Sequence, residues 1–208
     1  MSIIIGLTGP TGAGKSTISN RAKLFGFNVI DCDKSARLAV EKGSEGLKAV
    51  VNAFGEDILN HDGTLNRKTL ANKAFTDKEH TKLLNNTLLP FIAEIIKKQI
   101  VTDLTLLDAP TLIESGLDKI CDKIVVVLAG EELRKNRIIN RDNIDEKAAI
   151  LRMSAGKDDE FYKPFADYVI VNDGELSALT EKADKIFKSL TERNCLYECK
   201  RDKRETVL

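Results

Sequence analysis

An N-terminal glycine-rich segment restricts the fold of this chain more than any other part of the sequence. A short apolar run, Ile3–Ile5, precedes Gly9–Thr17, which reads GPTGAGKST, and helical periodicity begins at Lys15. The pattern Gly-x-x-x-x-Gly-Lys-Ser between a strand and a helix is typical of a phosphate-binding loop. Glycines let backbone N–H groups approach phosphate oxygens, and a helix start adds unpaired donors and a positive dipole end. The segment therefore predicts binding of a nucleoside triphosphate.

Two side chains of this loop suit that ligand directly. Lys15 can reach the β- and γ-phosphates, and the Ser16 hydroxyl can bind Mg²⁺. The alternative is a glycine-rich turn that binds nothing, which the strand before it, the helix after it and the Lys-Ser pair disfavour. The loop residues that we expect to hold the nucleotide are Gly9, Gly12, Ala13, Gly14, Lys15, Ser16 and Thr17.

Composition and charge exclude several classes of protein. The chain has 208 residues, of which 42% are hydrophobic and 31% charged, and this is typical of one globular domain with insertions. Lys and Arg total 32, as do Asp and Glu, so we expect no recruitment by nucleic acid or a membrane. No apolar run is long enough to span a bilayer. The four cysteines lack metal-binding or disulfide spacing, which favours a reduced, cytoplasmic compartment.

Apolar runs alternate with helical patterns along the chain and predict an α/β fold. We expect three layers around five parallel strands, as in P-loop nucleoside triphosphatases. The predicted strands after the first are Phe27–Asp31, Leu104–Asp108, Lys123–Leu128 and Asp167–Val171. The expected parts are a nucleotide-binding core (1–42, 100–130 and 165–190), a helical insertion (43–99), a helical lid (131–156) and a charged tail (191–208).

Several local features predict where helices begin and end. Thr76 would cap a long helix, with Glu79 completing a capping box, and Pro90 would kink or break that helix. Asp145 would cap the second helix of the lid. From Thr191 onward the chain is charged and weakly patterned, so we expect it to fray.

Acidic side chains follow two of the predicted strands. Asp31 and Asp33 end the second strand, and Asp108 ends the third. The carboxyl ends of parallel strands open onto one crevice, so we expect these carboxylates near the phosphates. Asp33 could instead cap a helix over Lys34–Glu41. Glu114 lies in the connection after the third strand, facing the same crevice.

Three arginines, Arg134, Arg137 and Arg141, recur at helical spacing in the predicted helix Glu131–Arg141. A guanidinium stays charged and can hold phosphate by two parallel hydrogen bonds, so this helix suits a lid over phosphates. We assign Arg137 and Arg141 to the active site and Arg134 to a solvated face. A GTPase is disfavoured because the last strands lack Asn-Lys-x-Asp, and a motor because Leu106–Asp108 resembles a Walker B strand only loosely. A small kinase fits best.

The joint set of motifs resembles the dephospho-coenzyme A kinase family over about residues 2–190. The matching segments are Gly9–Thr17, Ile30–Asp33, Phe54–Leu59 with Asp62-Gly63, Asp108–Glu114, Arg137–Asp142 and Ala166–Gly174. The resemblance implies transfer of the ATP γ-phosphoryl group to the ribose 3′-hydroxyl of dephospho-CoA, the last step of coenzyme A synthesis. It also implies ATP and Mg²⁺ as cofactors, and a nucleotide core with a helical substrate domain and a lid.

Within this resemblance the candidate residues take separate roles. We expect Asp33 to orient the acceptor hydroxyl or accept its proton, while Lys15 and Arg141 stabilise charge on the transferring group. Arg137 would assist at the nucleotide, and Asn172 would contact it from the turn after the last strand. The expected contacts of the acceptor are Asp33, Asp108 and Glu114, with Mg²⁺ as an alternative partner of Asp108.

Two positions depart from the family pattern. Members commonly carry Leu-His-Pro where this chain has Leu88-Leu89-Pro90, and they tend to have Gln at the position of Gly156. A leucine cannot donate a hydrogen bond to a phosphate or an acceptor. Two other functions therefore stay open: another nucleoside or nucleotide kinase, or a nucleotide-binding protein that has lost transfer. The sequence assigns no oligomeric state and no role to Cys195 or Cys199.

Overall fold

Five parallel strands form the centre of the protein. The computed structural model describes the backbone of residues 2–205 and the side chains of residues 2–192. The strands are β1 (Ile3–Thr8), β2 (Asn28–Asp31), β3 (Leu104–Asp108), β4 (Lys123–Leu128) and β5 (Tyr168–Val171). They lie in the order β2-β3-β1-β4-β5, and every pairing is parallel. The predicted five-stranded α/β fold is confirmed.

The strand register brings the predicted acidic residues to one edge of the sheet. Asp31 of β2 lies opposite Asp108 of β3, and Asp108 in turn lies opposite Leu7 of β1. The glycine-rich loop begins at Gly9, immediately after Thr8, the last residue of β1. The carboxylates and the loop therefore share the carboxyl edge of the sheet, where ligands of such folds bind.

Helices cover both faces of the sheet. They are α1 (Lys15–Lys23), α2 (Cys32–Ala39), α3 (Glu45–Phe54), α4 (Arg67–Ala74), α5 (Lys78–Gln99), α6 (Glu131–Asp142), α7 (Glu146–Ser154), α8 (Asp159–Tyr162) and α9 (Leu176–Glu205). Strand side chains alternate between faces, so Leu106 packs with Ile18 and Phe187 of α1 and α9. The next residue, Leu107, packs with Ile96 of α5 on the other face. Both faces are buried, which explains the continuous apolar runs in the sequence.

The segment between β2 and β3 is helical, as predicted, and has its own apolar cluster. Val50 of α3, Ile58 and Ala74 of α4 are all fully buried in it. Between α3 and α4 the chain turns at residues 60–63, and an isolated antiparallel bridge joins Leu59 to Leu65. This cluster is distinct from the two clusters that cover the faces of the sheet.

The prediction that Pro90 breaks the long helix is wrong, because α5 runs without interruption from Lys78 to Gln99. A kink at Pro90 stays a prediction. Proline cannot donate the helical hydrogen bond to the carbonyl four residues earlier, which belongs to Asn86. Asn86 and Pro90 are both exposed, so solvent can satisfy that carbonyl. The helix therefore tolerates Pro90 on its outer face.

At two helices, the residue that caps the N-terminus differs from the predicted one by one or two positions in the sequence. Asp77, not Thr76, caps α5 by accepting a hydrogen bond from the His80 N–H at 2.8 Å. The Thr76 hydroxyl donates instead to the Lys73 carbonyl oxygen at the end of α4. Asp31 caps α2 by accepting from the Lys34 N–H at 3.1 Å.

The helix α2 therefore begins at Cys32, and Asp33 lies in its first turn rather than at its cap. The predicted cap at Asp145 is confirmed by a 2.7 Å bond from the Ala148 N–H. Asp33 is thereby released from the structural role that was its alternative.

The last helix extends further than the sequence predicted. It continues to Glu205, although we expected the chain to fray from Thr191. Residues 191–205 contain neither proline nor glycine, so no residue there stops the helix. Residues 206–208 and the side chains of Cys195 and Cys199 lie outside what the structure describes. Along the described chain, no helix combines the length and apolar character needed to cross a membrane.

Candidate active site

The glycine-rich loop adopts a conformation that only glycine accepts at its first position. Gly9 has φ 137°, and a Cβ built on it would lie 2.1 Å from the Val127 carbonyl oxygen. Gly14, just before α1, has φ 103°. The loop therefore passes closely over β4 and turns directly into the N-terminus of α1, where unpaired N–H groups face the cavity.

Lys15 folds back over this loop. Its Nζ donates hydrogen bonds to the carbonyl oxygens of Gly9 at 2.7 Å and Pro10 at 3.2 Å. Burial of the side chain lowers the pKa of Lys15 to about 8, since desolvation disfavours the charged form. The ammonium is thus held at the loop by carbonyl dipoles alone, with no carboxylate as a direct partner among the described residues.

Four more charged groups act on Lys15 from a distance. The carboxylates of Asp108 and Asp33 raise the pKa of Lys15, while the guanidinium groups of Arg141 and Arg134 lower it. These residues come from β3, α2 and α6. The site therefore collects positive charge from the loop and α6 opposite negative charge from the strand ends.

Asn172 and Arg137 hold the loop from the other side. The Asn172 Nδ2 donates to the Ala13 carbonyl oxygen at 2.7 Å, and Asn172 is buried. Arg137 donates to the Asn172 carbonyl oxygen at 3.2 Å and to the Gly12 carbonyl oxygen at 3.4 Å. Together they connect the end of β5, the helix α6 and the loop.

A cavity of about 410 Å³, which we call the nucleotide cavity, opens at this edge of the sheet. Its lining residues are Thr11, Gly12, Gly14, Lys15, Ser16, Asp31, Asp33, Asp108, Pro110, Arg137 and Arg141. The structure thus brings most of the predicted site residues to one place. Gly9, Ala13, Thr17 and Asn172 are not among the lining residues.

The carboxylates of the cavity differ in their partners. The Ser19 hydroxyl donates to the Asp108 carboxylate and also to the Lys15 carbonyl oxygen, at 3.2 Å in the second case. Asp33 is exposed to the cavity, and partial desolvation together with the nearby Asp31 carboxylate raises its pKa. Asp33 therefore presents its carboxylate to the cavity.

A model of the family described as dephospho-CoA kinase matches residues 3–178. The chain belongs to the dephospho-CoA kinase family. A curated dephospho-CoA kinase from Corynebacterium efficiens is 40% identical over 91% of this chain and 98% of its own length. Among solved structures, TT1252 from Thermus thermophilus matches with 29% identity and a TM-score of 0.74, over 90% of this chain and 97% of its own. Dephospho-CoA kinase from Campylobacter jejuni matches with 26% identity and a TM-score of 0.64, over 93% of this chain and 100% of its own.

Glu114, which was predicted to contact the acceptor, does not line the nucleotide cavity. It lines a neighbouring cavity together with Leu89. Burial raises the pKa of Glu114, and its Oε2 has no hydrogen-bond partner among the described residues. The two departures from the family pattern lie elsewhere too: Leu89 in this second cavity, and Gly156 in a third beside Arg134.

Sequence patterns did not identify Ser19 as a site residue, and they predicted the wrong environment for Arg134. Ser19 follows Lys15 by one helical turn, which places both on one face and was the available signal. Arg134 was assigned to a solvated face, but it is half-buried, and its Nε is buried with no partner among the residues that the structure describes. Helical spacing predicts which face of α6 carries Arg134, but it does not predict how deeply the side chain is buried. The burial arises because Arg134 packs beside the loop at Gly12.

Proposed function

We propose that this protein transfers the γ-phosphoryl group of ATP to the ribose 3′-hydroxyl of dephospho-CoA, which yields coenzyme A. The observation that carries the proposal is the meeting of Lys15, Asp33 and Arg141 in one cavity of a chain that belongs to the dephospho-CoA kinase family. Phosphoryl transfer depends on positioning and charge stabilisation more than on covalent chemistry, and this cavity offers both.

The loop and Lys15 would hold the nucleotide phosphates. Among the described residues, Lys15 Nζ bonds to the Gly9 and Pro10 carbonyl oxygens alone, so it can exchange these for phosphate oxygens with a small movement. A bound phosphate would also give the buried Lys15 ammonium a negatively charged partner, which offsets the desolvation that lowers its pKa. Backbone N–H groups at the start of α1 add donors that face the same anion.

Asp33 would act on the acceptor hydroxyl. It has no capping duty, because Asp31 caps α2, and it faces the cavity. Its raised pKa makes it a stronger base than an ordinary aspartate, which helps it to orient the 3′-hydroxyl and accept the proton.

Mg²⁺ suits the donors of this cavity. The Ser16 hydroxyl and the Asp108 carboxylate supply the oxygen ligands that this ion prefers. The ion when bound would neutralise charge on the phosphates. Asp108, held by Ser19, would bind it through water, and Ser16 would bind it directly.

Two arginines of α6 would complete the site, and their side chains differ in how firmly hydrogen bonds hold them. Arg137 is fixed by its bonds to Gly12 and Asn172. Arg141 is exposed and bonds to the neighbouring Asp142, so it can turn towards the transferring group. We propose that residues 131–156 form a lid that brings Arg141 in and excludes water, and that residues 43–99 form the acceptor wall.

We also propose a cytoplasmic location, which the free thiols of Cys32 and Cys121 support.

The deciding experiment measures ADP release from Mg·ATP with dephospho-CoA or with a panel of nucleosides as acceptors. We expect large, selective stimulation by dephospho-CoA, with the new phosphate at the 3′ position by NMR. Stimulation by a nucleoside alone would make the protein a different small-molecule kinase. ATP binding without any acceptor effect would make it a nucleotide-binding protein that has lost transfer.

A further inference from the structure

A second cavity, of about 750 Å³, lies between α5 and the segment that follows β3. We call it the lysine-rimmed cavity. Its apolar lining includes Leu89 and Ile113, together with the exposed rings of Phe75 and Phe165. Cavities of this size that combine an apolar floor with a few polar groups are typical binding sites for extended small molecules. The nucleotide-binding roles described above do not use it.

Four lysines stand around this cavity. They are Lys78, Lys82, Lys119 and Lys157. Lys78 and Lys82 are one helical turn apart on α5, and both are exposed. Within the described part of the chain, Lys78, Lys82 and Lys119 make no ion pair, while Lys157 lies over the Phe161 ring. Three carboxylates, those of Asp77, Glu114 and Asp118, line the same cavity, so its lysines exceed its carboxylates by one. The ammonium groups that form no ion pair among the described residues remain available to an anionic ligand.

The inner wall carries polar atoms without partners. Glu114 Oε2 and Asp118 Oδ1 are buried, and neither has a hydrogen-bond partner among the described residues. Asn85 donates to the Glu114 carbonyl oxygen at 2.6 Å, and its side-chain oxygen remains to accept a bond. Leaving buried polar atoms unpaired costs free energy, so these groups suit a ligand that brings its own amide or hydroxyl donors.

Phe75 links this cavity to the catalytic edge of the sheet. The ring is 66% exposed and lines both the lysine-rimmed cavity and a groove of about 280 Å³ that begins at Asp33. The groove is apolar, with Val40, Leu70 and Leu88 in its walls. A ligand whose hydroxyl lies at Asp33 can therefore pass along the groove and across Phe75.

We propose that the lysine-rimmed cavity binds the phosphopantetheine end of dephospho-CoA, while the adenosine occupies the groove beside Asp33. The pantetheine arm alternates apolar and amide groups, which match the apolar lining and the unpaired carboxyl oxygens of Glu114 and Asp118. Its diphosphate matches the ammonium groups of Lys78 and Lys82. The cavity thereby selects dephospho-CoA over acceptors that have the same ribose but lack the arm. This inference rests on the proposed function.

The first test measures protection in the wild-type protein. Lysines are labelled with an amine-acylating reagent, and the rate at each is followed by mass spectrometry with dephospho-CoA, adenosine 5′-monophosphate or Mg·ATP present. We expect saturating dephospho-CoA to slow labelling of Lys82 and Lys119 at least about fivefold, whereas the other two ligands leave it unchanged. Exposed Lys68 on α4 is the internal reference.

The second test is kinetic. The double variant Lys82→Glu/Lys119→Glu should raise KM for dephospho-CoA about tenfold or more, with kcat and the KM for ATP near wild type. The double variant Lys68→Glu/Lys97→Glu makes the same charge change at exposed positions outside the cavity and should leave all three values unchanged. Adenosine 5′-monophosphate as acceptor should respond much less to the cavity variant than dephospho-CoA does.

The results separate this inference from the proposed function. Turnover of dephospho-CoA without protection of Lys82 and Lys119 would overturn the cavity and leave the function intact. Protection without turnover would support the cavity and overturn the function. An equal rise in KM for both acceptors would show that the lysines act through general charge, and it would overturn the selectivity proposed here.

Discussion

The side-chain amide of Asn172 donates a hydrogen bond of 2.7 Å to the carbonyl oxygen of Ala13. This bond joins the turn after β5 to the phosphate-binding loop. A Cβ on Gly14 would lie 2.3 Å from the same amide nitrogen, so the glycine gives Asn172 room to approach. Sequence resemblance placed Asn172 at the nucleotide, whereas its side chain is seen to support the loop that would hold it.

Replacing Asn172 with alanine should therefore weaken nucleotide binding through the loop. We expect ATP affinity to fall about three- to tenfold and the free energy of unfolding to fall by about 1–2 kcal/mol, since a buried acceptor loses its donor. Calorimetric titration with ATP and urea unfolding measure the two effects. Exposed Asn140 on α6 offers a control, and Asn140→Ala should match wild type in both. Unchanged ATP affinity in Asn172→Ala would show that the loop keeps its shape without this bond.

Much of the fold could be predicted because short-range patterns determine it. The apolar runs at Leu104–Asp108 and Lys123–Leu128 coincide with β3 and β4 as observed. Helix starts were less secure, since Thr76 and Asp77 are both good caps. In the structure the Thr76 hydroxyl bonds to the Lys73 carbonyl oxygen at the end of α4, whereas the Asp77 carboxylate accepts from the His80 N–H at the start of α5.

How deeply a site residue is buried, and which cavity it lines, were harder to predict than which residue types form the site. Spacing shows that Arg134 and Arg137 share a face of α6, but burial beside Gly12 depends on how α6 packs. Glu114 follows a strand that ends at the site, yet it lines another cavity. Such properties arise from tertiary packing, which periodicity does not encode.

Lys15 should make ATP affinity depend on pH in an unusual range. Only its protonated form attracts phosphate, and burial lowers its pKa to about 8 in the free protein. Binding phosphate raises that pKa, so the affinity must fall as pH rises through about 8. We expect the dissociation constant for ATP to be about tenfold higher at about pH 9 than at about pH 7, by titration at constant ionic strength.

The variant Lys15→Arg provides the matching control, because arginine stays protonated throughout this range. It should bind ATP more weakly, as its planar fork fits a lysine site poorly, but with no break near pH 8. Wild-type affinity that stays flat to about pH 9.5 would contradict the lowered pKa.

Two glycines with positive φ should respond differently to alanine. Gly9 has both φ 137° and the Val127 carbonyl 2.1 Å from any Cβ, whereas Gly26 has φ 81° and open space around it. Gly26→Ala should cost about 1–2 kcal/mol of unfolding free energy, from conformation alone, and should keep ATP binding. Gly9→Ala adds a backbone clash and should cost at least about twice as much while abolishing ATP binding. Equal losses of stability would mean that β4 yields to the new side chain.

Arg141 and Arg152 share one carboxylate, which makes them a matched pair. Both donate hydrogen bonds to Asp142, but only Arg141 lines the nucleotide cavity. Arg141→Ala should lower kcat about a hundredfold or more, with a small change in KM for ATP, if it stabilises charge on the transferring group. Arg152→Ala should keep kcat within about twofold, because exposed ion pairs contribute little. Similar kcat losses in both variants would assign the effect to Asp142 and the packing of α6 on α7.

Asp33 is the residue on which the proposed chemistry depends most. It is exposed in the cavity, makes no cap, and has a raised pKa, so Asp33→Asn removes the base while keeping the size of the side chain. We expect kcat to fall about 10²- to 10⁴-fold with ATP affinity near wild type, measured by coupled ADP release and by calorimetry. Asp31→Asn is the comparison, because it removes an equal charge two residues away and asparagine can still cap α2. Its loss of kcat should be at least about tenfold smaller, since general charge alone would affect both variants alike. Near-normal turnover in Asp33→Asn would mean that the 3′-hydroxyl loses its proton elsewhere, with Asp108 the next carboxylate at the same sheet edge.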